Sequence, residues 1–216
     1  MAIDFDAASE NYFGTPATSH TLAHTTSGSD RFLVNFLLTN GTTTDIVSTS
    51  KYNAVDLTSA IEMDTGQANV RLYAYYLITP ATGSNNLVVT LSQSSDCDVK
   101  IQSYTGCKQS GQPDATSSGS NPTNITLGIT TVADNCWLAS CARNTSSGPM
   151  SAGTGTTRRT STGTMSSGDS NAAKTPAGSH SMQWINAAGD SDGLIISIAP
   201  ATAAAATNDA LFFAGN

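Results

Sequence analysis

Charge is scarce in this chain, and that scarcity excludes several functions. Charged residues make up 12% of its 216 positions, and the formal net charge is −7. Binding nucleic acid draws on clustered Lys and Arg. The one adjacent basic pair, Arg158-Arg159, lies in a Thr/Ser/Gly run too small to track phosphates, so no nucleic-acid partner is expected. Glutamate occurs only at Glu10 and Glu62. Glycoside hydrolysis needs two carboxylates at a set separation, and neither Glu10 nor Glu62, the latter near Asp64, offers a recognisable pair. GxSxG, a P-loop and HExxH are also missing, so an enzyme is not expected and no cofactor is implied. No run of about 18 apolar residues exists, which excludes a helical membrane span. The opening MAIDFDAASENYFG has neither a basic nor an apolar leader region, so a signal peptide is not expected. No stretch sustains a 3.6-residue period, so any helix is short.

Alternation is what the chain has instead. Gln67 to Pro80 reads QANVRLYAYYLITP, with Ala68, Val70, Leu72, Ala74, Tyr76 and Ile78 at even positions and Arg71, Tyr73 and Tyr75 among the odd ones. A period of two with one apolar face predicts a half-buried strand, and Pro80 ends it by removing a ladder donor. Further strands are predicted at Arg31 to Leu38 (apolar on both faces), Asp45 to Ser50, Tyr52 to Leu57, Ile61 to Met63, Asn86 to Gln93, Cys97 to Tyr104, Asn124 to Thr130, Cys136 to Arg143, Met182 to Asn186 and Leu194 to Ala199. Asn40-Gly41 is a hairpin signal, and 81 to 85 is short enough to join a second hairpin. On Cys97 to Tyr104, Val99 and Ile101 point inward and Asp98, Lys100 and Gln102 outward. Residues 105 to 123 read as loop. Residues 144 to 180, almost wholly Ser, Thr, Gly and Asn, read as loop around one solvent-exposed strand at Thr156 to Met165. The expected fold is all-β, an antiparallel β-sandwich (jelly-roll or immunoglobulin-like) of about ten strands with extended terminal arms. Its parts are an N-terminal arm over 1–18, the sandwich over 19–200, and an Ala/Thr linker with an apolar tail over 201–216.

The reactive side chains form no obvious site. Cys97, Cys107, Cys136 and Cys141 contain no CxxC pair and allow three pairings. Buried reduced thiols are the expectation, with Cys97–Cys107 the best disulfide candidate across a turn at Thr105-Gly106. His20 and His24, if on one strand, share a face about 13 Å apart at ~3.3 Å per residue, too far to share an ion. With His180 they read as ordinary loop histidines, and no metal is expected. Asp190 and Asp192 between Gly189 and Gly193 read as a turn using Asp for local backbone bonds rather than as a calcium loop. Asn40, Asn124 and Asn144 open glycosylation-type sequons, which arise by chance in a chain so rich in Thr and Ser. Arg71, Tyr73 and Tyr75 form a candidate glycan or partner face, since exposed aromatics beside Arg stack on sugars and partners; the competing reading has a second layer covering them.

Residues 31 to 106 resemble a β-sandwich domain of phage virion proteins and some secreted bacterial proteins. The likeness is carried by FLVNFLL, VSTSKYNAVDLTSA, VRLYAYYLITPATGSNNLVVTLS and VKIQSYTGC, and the closing WLASCA and GLIISIAP also fit. It is a likeness of pattern over most of 31 to 200. It implies a non-enzymatic particle or adhesion module and carries over no binding residues.

The ends add a partner hypothesis. Leu211, Phe212 and Phe213 follow an Ala/Thr linker, and Phe5, Tyr12 and Phe13 punctuate the first residues. Burying Leu or Phe is worth roughly 1.5–3 kcal/mol per side chain, enough to hold a tail in a groove. These six are the expected partner-binding residues. The function expected is a phage structural protein, a capsid decoration (cement) or head-fibre type, assembled in the host cytoplasm and carried in the virion. Its partners would be the major capsid protein or neighbouring virion subunits, and it would be a homo-oligomer, with a trimer as the working guess. The alternative is a carbohydrate-binding or host-adhesion module of a tail fibre or secreted protein.

Overall fold

A computed structural model describes residues 1–41, 44–66, 69–145 and 148–202. Gln67 and Ala68, at the start of the predicted central strand, and the tail with Leu211, Phe212 and Phe213 lie outside the described residues.

The central strand is β6 (Val70–Ile78), and it pairs antiparallel with β2 (Phe32–Asn40), Phe36 opposite Ala74. The even positions of both strands, Phe32, Val34, Phe36, Leu38, Val70, Leu72 and Ala74, enter one buried cluster. The odd positions Leu33, Leu37 and Tyr73 enter a second. The near-continuous apolar run of β2 is what a strand covered on both faces requires.

Cover for the second cluster comes from a long ribbon. β1 (Asp4–Thr26) and β7 (Gly83–Thr105) pair antiparallel end to end, 23 residues each. The register slips between Phe13 and Ser19, opposite Cys97 to Thr90, and the two halves of β7 then serve different neighbours. Its second half pairs with β2, its first half with β3 (Val47–Tyr52). Leu87, Val89 and Leu91 of the first half share the cluster of Leu33, Leu37 and Tyr73, so the bent ribbon packs back onto the sheet it belongs to. β4 (Val55–Asp56) and β5 (Thr58–Asp64) carry the chain from β3 to β6. With Leu57 donating its amide to Ser50 O at 2.8 Å, this first sheet, in the order β4-β3-β7-β2-β6-β5 with β1 on β7, is nearly closed.

The second sheet runs β12 (Thr157–Thr160), β13 (Met165–Asp169), β10 (Trp137–Asn144), β15 (Ser191–Ile198), β8 (Ala115–Asn121). A third holds β11 (Ser151–Ala152), β14 (Ser179–Ile185) and β9 (Ile125–Thr130). Alternation along β10 serves two cores. Trp137, Ala139 and Cys141 face the first sheet with Leu194, Ile196 and Ile198, while Leu138 and Ala142 face Ile125, Leu127, Met182 and Trp184 of the third.

The chain is thus all-β and antiparallel, with fifteen strands among the described residues rather than about ten. Several expectations are corrected. Residues 1–18 are not an arm, because β1 spends its backbone bonds along the whole of β7. Asn40-Gly41 does not join a hairpin: β3 pairs with β7, and β2 lies between β7 and β6. For the same reason 81 to 85 joins no hairpin, and the two strands predicted on either side of Gln93 are one. The 105–123 loop contains β8. The 144–180 segment contains β13, wholly buried in the middle of the second sheet. Its smallness is the reason. A Cβ on Gly168 would come within 2.3 Å of Thr157 O, so only glycine lets β12 approach there.

Candidate functional site

Two places bring chemistry together: a polar network buried between the first two sheets, and an apolar cavity beside Thr202, the last described residue.

The network centres on Lys100, whose side chain is fully buried. The expected outward set Asp98, Lys100 and Gln102 is instead completely covered, because β12, β13 and their turn lie over that face of β7. Lys100 Nζ lies 2.7 Å from Asp98 Oδ1 and 3.1 Å from Glu10 Oε2, and it donates to Thr162 O at 2.7 Å. Glu10 also accepts the backbone amides of Ser161 and Thr162 at 2.7 Å each. Burial alone would raise its carboxyl, but the Thr162 bonds and Lys100 outweigh it and hold the group below the ordinary carboxylate range. Asp98 accepts the Met165 amide at 3.1 Å, yet burial dominates and raises its carboxyl. Beside them Gln102 donates to Ser167 Oγ at 2.7 Å, and Arg159 grips Asp169 with two bonds at 2.8 and 3.0 Å. A second seam joins β1 to β7. His24 Nδ1 meets Ser9 Oγ at 2.9 Å and Nε2 meets Ser103 Oγ at 3.0 Å, while Ser103 donates to Asp6 at 2.8 Å. Burial lowers the His24 pKa from 6.5 to about 4, partly opposed by Asp6. At 2% exposure His24 is positioned to tie strands together, and Ser103 stands between it and the carboxylate.

The cavity, about 700 Å³, is walled by Ile3, Trp137, Ala199 and Pro200, with Lys108 and Asp134 among its polar groups and Thr202 in its lining. Five stretches remote in sequence build it. Lys108 donates its amide to Ala199 O at 2.9 Å, Ala201 to Gly106 O at 2.8 Å, and the Met1 amino group to Ala201 O at 2.9 Å. Gly106 has φ +69°, and a Cβ there would stand 2.0 Å from Ala2 O, so glycine lets the first residues cross the turn. Trp137, 7% exposed, is wedged edge-on against Tyr104 at 6.0 Å.

The predicted binding residues are dispersed. Phe5 is half-buried against the first core, with the Arg159 guanidinium 3.9 Å from its ring centre. Phe13 packs on the second core and on His20 at 4.8 Å. Both therefore pack against the fold instead of projecting from an arm. Tyr12 is 42% exposed and donates to Asp96 at 3.1 Å. The Arg71, Tyr73, Tyr75 face is also corrected as an exposed platform. Tyr73 is 1% exposed, its phenol pushed up to about 12 by burial, and it stacks on a half-buried Tyr75 at 6.0 Å. Arg71 pairs with Glu62 at 3.3 Å and Asp64 at 3.6 Å. The bent ribbon and the 45–46 segment supply the second layer of the competing reading.

Other candidates have structural partners. His20 bonds Ser95 O and His180 bonds Pro176 O, each at 2.9 Å. Asp192 pairs with Arg143 at 2.7 Å and accepts from Ser120 at 2.6 Å. Among the described residues no three His, Cys, Asp or Glu side chains converge as metal ligands would. All four cysteines are free and buried, Cys97–Cys107 included, and burial raises each thiol, Cys136 to about 11. Sequence reasoning missed the cavity, since its lining comes from five distant segments. The signal for the buried network was present: Asp98 and Lys100 are i, i+2 neighbours, so they had to share a face.

In comparisons with known proteins, no family model, no curated protein and no solved structure matches this chain.

Proposed function

We propose that this is a non-enzymatic structural protein of a phage virion, a capsid decoration or head-fibre type that binds an assembled capsid lattice or neighbouring virion subunits. The observation that carries the reading is the apolar cavity at which the described chain ends, followed in sequence by Leu211-Phe212-Phe213. A groove that includes Thr202 and an apolar peptide later in the same chain supply two parts of a docking device. The rest of the frame fits a passive role. Its thiols are buried, its best-connected carboxylates are buried and engaged, and large exposed hydrophobics among the described residues are scattered singly at Met1, Tyr12, Val55, Val132 and Ile185. Within this reading the first two sheets are the facing layers of the β-sandwich expected of such modules.

Mass spectrometry of purified particles should find the protein at a fixed stoichiometry to the major capsid protein. A chain lacking 209–216 should be lost from those particles. Particles without the protein, or unchanged occupancy after the deletion, would sink the reading.

A further inference from the structure

We propose that the pocket where β1, the last residues of β2 and β10, and the turn before β13 meet binds a neutral sugar unit of a glycan. The inference concerns the isolated molecule and does not rest on the virion reading.

The pocket, about 320 Å³, takes its lining from Tyr12, Asn40, Val70, Arg143, Thr145 and Thr164. That volume lies at the small end of the range for ligand sites and suits a sugar ring rather than a folded partner. Three features select the ligand.

The first is a buried cation with an unused edge. Arg143 is 5% exposed. Its Nε and Nη2 hold Asp192 at 3.1 and 2.7 Å, and Nη2 also donates to Thr65 Oγ1 at 3.0 Å. Nη1 makes no hydrogen bond to the described residues and is not sealed from solvent, so it is the edge that Arg143 shows to the pocket. The clamp on the other nitrogens fixes this donor before any ligand arrives, which lowers the cost of binding. The second feature is an aromatic wall. Tyr12 is 42% exposed and is pinned at its hydroxyl by Asp96 at 3.1 Å. Its ring lies over Gly14, where a Cβ would stand 3.1 Å from Tyr12 Cε1. A ring held in this way offers an apolar surface to the C–H face of a sugar. The third feature is charge balance. Asp96 also accepts from Asn40 Nδ2 at 3.0 Å, which leaves Asn40 Oδ1 as an acceptor for a ligand. Arg143 is already matched by Asp192, and the Asp96 carboxylate stands beside the ring. The pocket therefore has no surplus positive charge with which to attract an anion. Thr164 adds a hydroxyl that both donates and accepts. Fixed donors and acceptors beside one aromatic face match the hydroxyls and apolar face of a neutral sugar.

Saturation-transfer NMR on the full chain tests this, with the methyl glycosides of glucose, galactose, mannose and N-acetylglucosamine as probes at millimolar concentration. N-acetylneuraminic acid and inorganic phosphate serve as anionic counterparts. Amide spectra of the labelled protein locate the site. The expected result is saturation of at least one neutral glycoside, with shifts at the Thr145 and Thr164 amides and no displacement by phosphate. Tyr12→Ala should weaken binding by roughly tenfold, the scale of one lost aromatic contact, at an unchanged melting temperature. Arg143→Lys keeps a cation for Asp192 but has no second nitrogen to offer, and should weaken binding too. Should that buried substitution prevent folding, Thr164→Val, at a partly exposed position, tests the polar side of the pocket in its place. No saturation of any neutral glycoside overturns the proposal. Binding of neuraminic acid or phosphate alone overturns it in favour of an anion site. Sugar binding that neither Tyr12→Ala nor Thr164→Val alters overturns the location. Sugar binding by a chain that is absent from purified particles removes the virion reading and leaves this inference standing.

Discussion

One interface, between the first and second sheets, is built in two ways. Over β2 and β6 it is apolar: Phe32, Val34, Phe36 and Leu38 meet Leu194, Ile196 and Ile198. Over β7, one strand further along the same sheet, it is polar: Asp98, Lys100 and Gln102 meet the backbone and hydroxyls of 161 to 167. The apolar half is non-directional and rests on area and close packing. The polar half depends on each group finding its partner, since an unpartnered buried charge is costly. The polar half therefore fixes where the Ser/Thr/Gly segment lies, and the apolar half supplies most of the driving force.

The largest expected effects test that division. Lys100→Met leaves Asp98 buried without its cation and should lower the unfolding free energy by about 3–5 kcal/mol at neutral pH, read from urea melts. Replacing Asp98 by Leu as well should recover most of the loss, because removing both charges removes the uncompensated one. In Lys100→Met alone the deficit should shrink as pH falls through the raised Asp98 pKa, since a protonated carboxyl needs no counter-charge. Phe36→Ala, at a fully buried position in the apolar half, should cost a similar 3–5 kcal/mol, but with no pH dependence and no rescue by a single partner change. A pH-dependent deficit in Phe36→Ala would show that the halves are not separate.

A smaller effect comes from the seam between β1 and β7. The His24 pKa is about 4 in the fold against 6.5 ordinarily. Between those values the unfolded chain holds a proton that the folded one does not. Stability is therefore full above pH 6.5 and falls as pH drops towards 4, by up to about 3 kcal/mol. His24→Gln should remove that part of the slope, measured as the difference in unfolding free energy between pH 7 and 4.5. An identical slope in the variant would place the acid sensitivity elsewhere. The smallest effect belongs to the Lys51–Asp56 pair, with side chains 39% and 67% exposed. Lys51→Ala should change the melting free energy by under about 0.5 kcal/mol, marking the scale of a charge pair outside the interface.

Legibility followed the same boundary. The apolar strands β2, β6, β9, β10 and β15 were plain from alternation or from continuous apolar runs, because water sorts such side chains wherever the strand goes. The segments that close the polar half were not. β1, with its sparse aromatics, carries no clean period of two, yet it forms a 23-residue strand because β7 offers an edge of matching length. Met165-Ser166-Ser167-Gly168-Asp169 looks like surface loop, yet it is buried because its smallness admits close neighbours. The odd face of β6 was open to two readings, an exposed partner face or a covered one, and the structure takes the second; nothing local to Tyr73 announces that β7 is the strand that bends back over it.

Composition and alternation alone determined an antiparallel, all-β chain with little charge on offer to a nucleic acid; that its thiols stand apart and unbridged came from the structure. Which strands are neighbours, which polar groups are buried in pairs, and the cavity where five remote stretches meet were decided only in three dimensions. Side-chain alternation is a property of a few consecutive residues. Pairing, burial of charge and the shape of a groove depend on residues scores of positions apart, whose proximity no local pattern encodes.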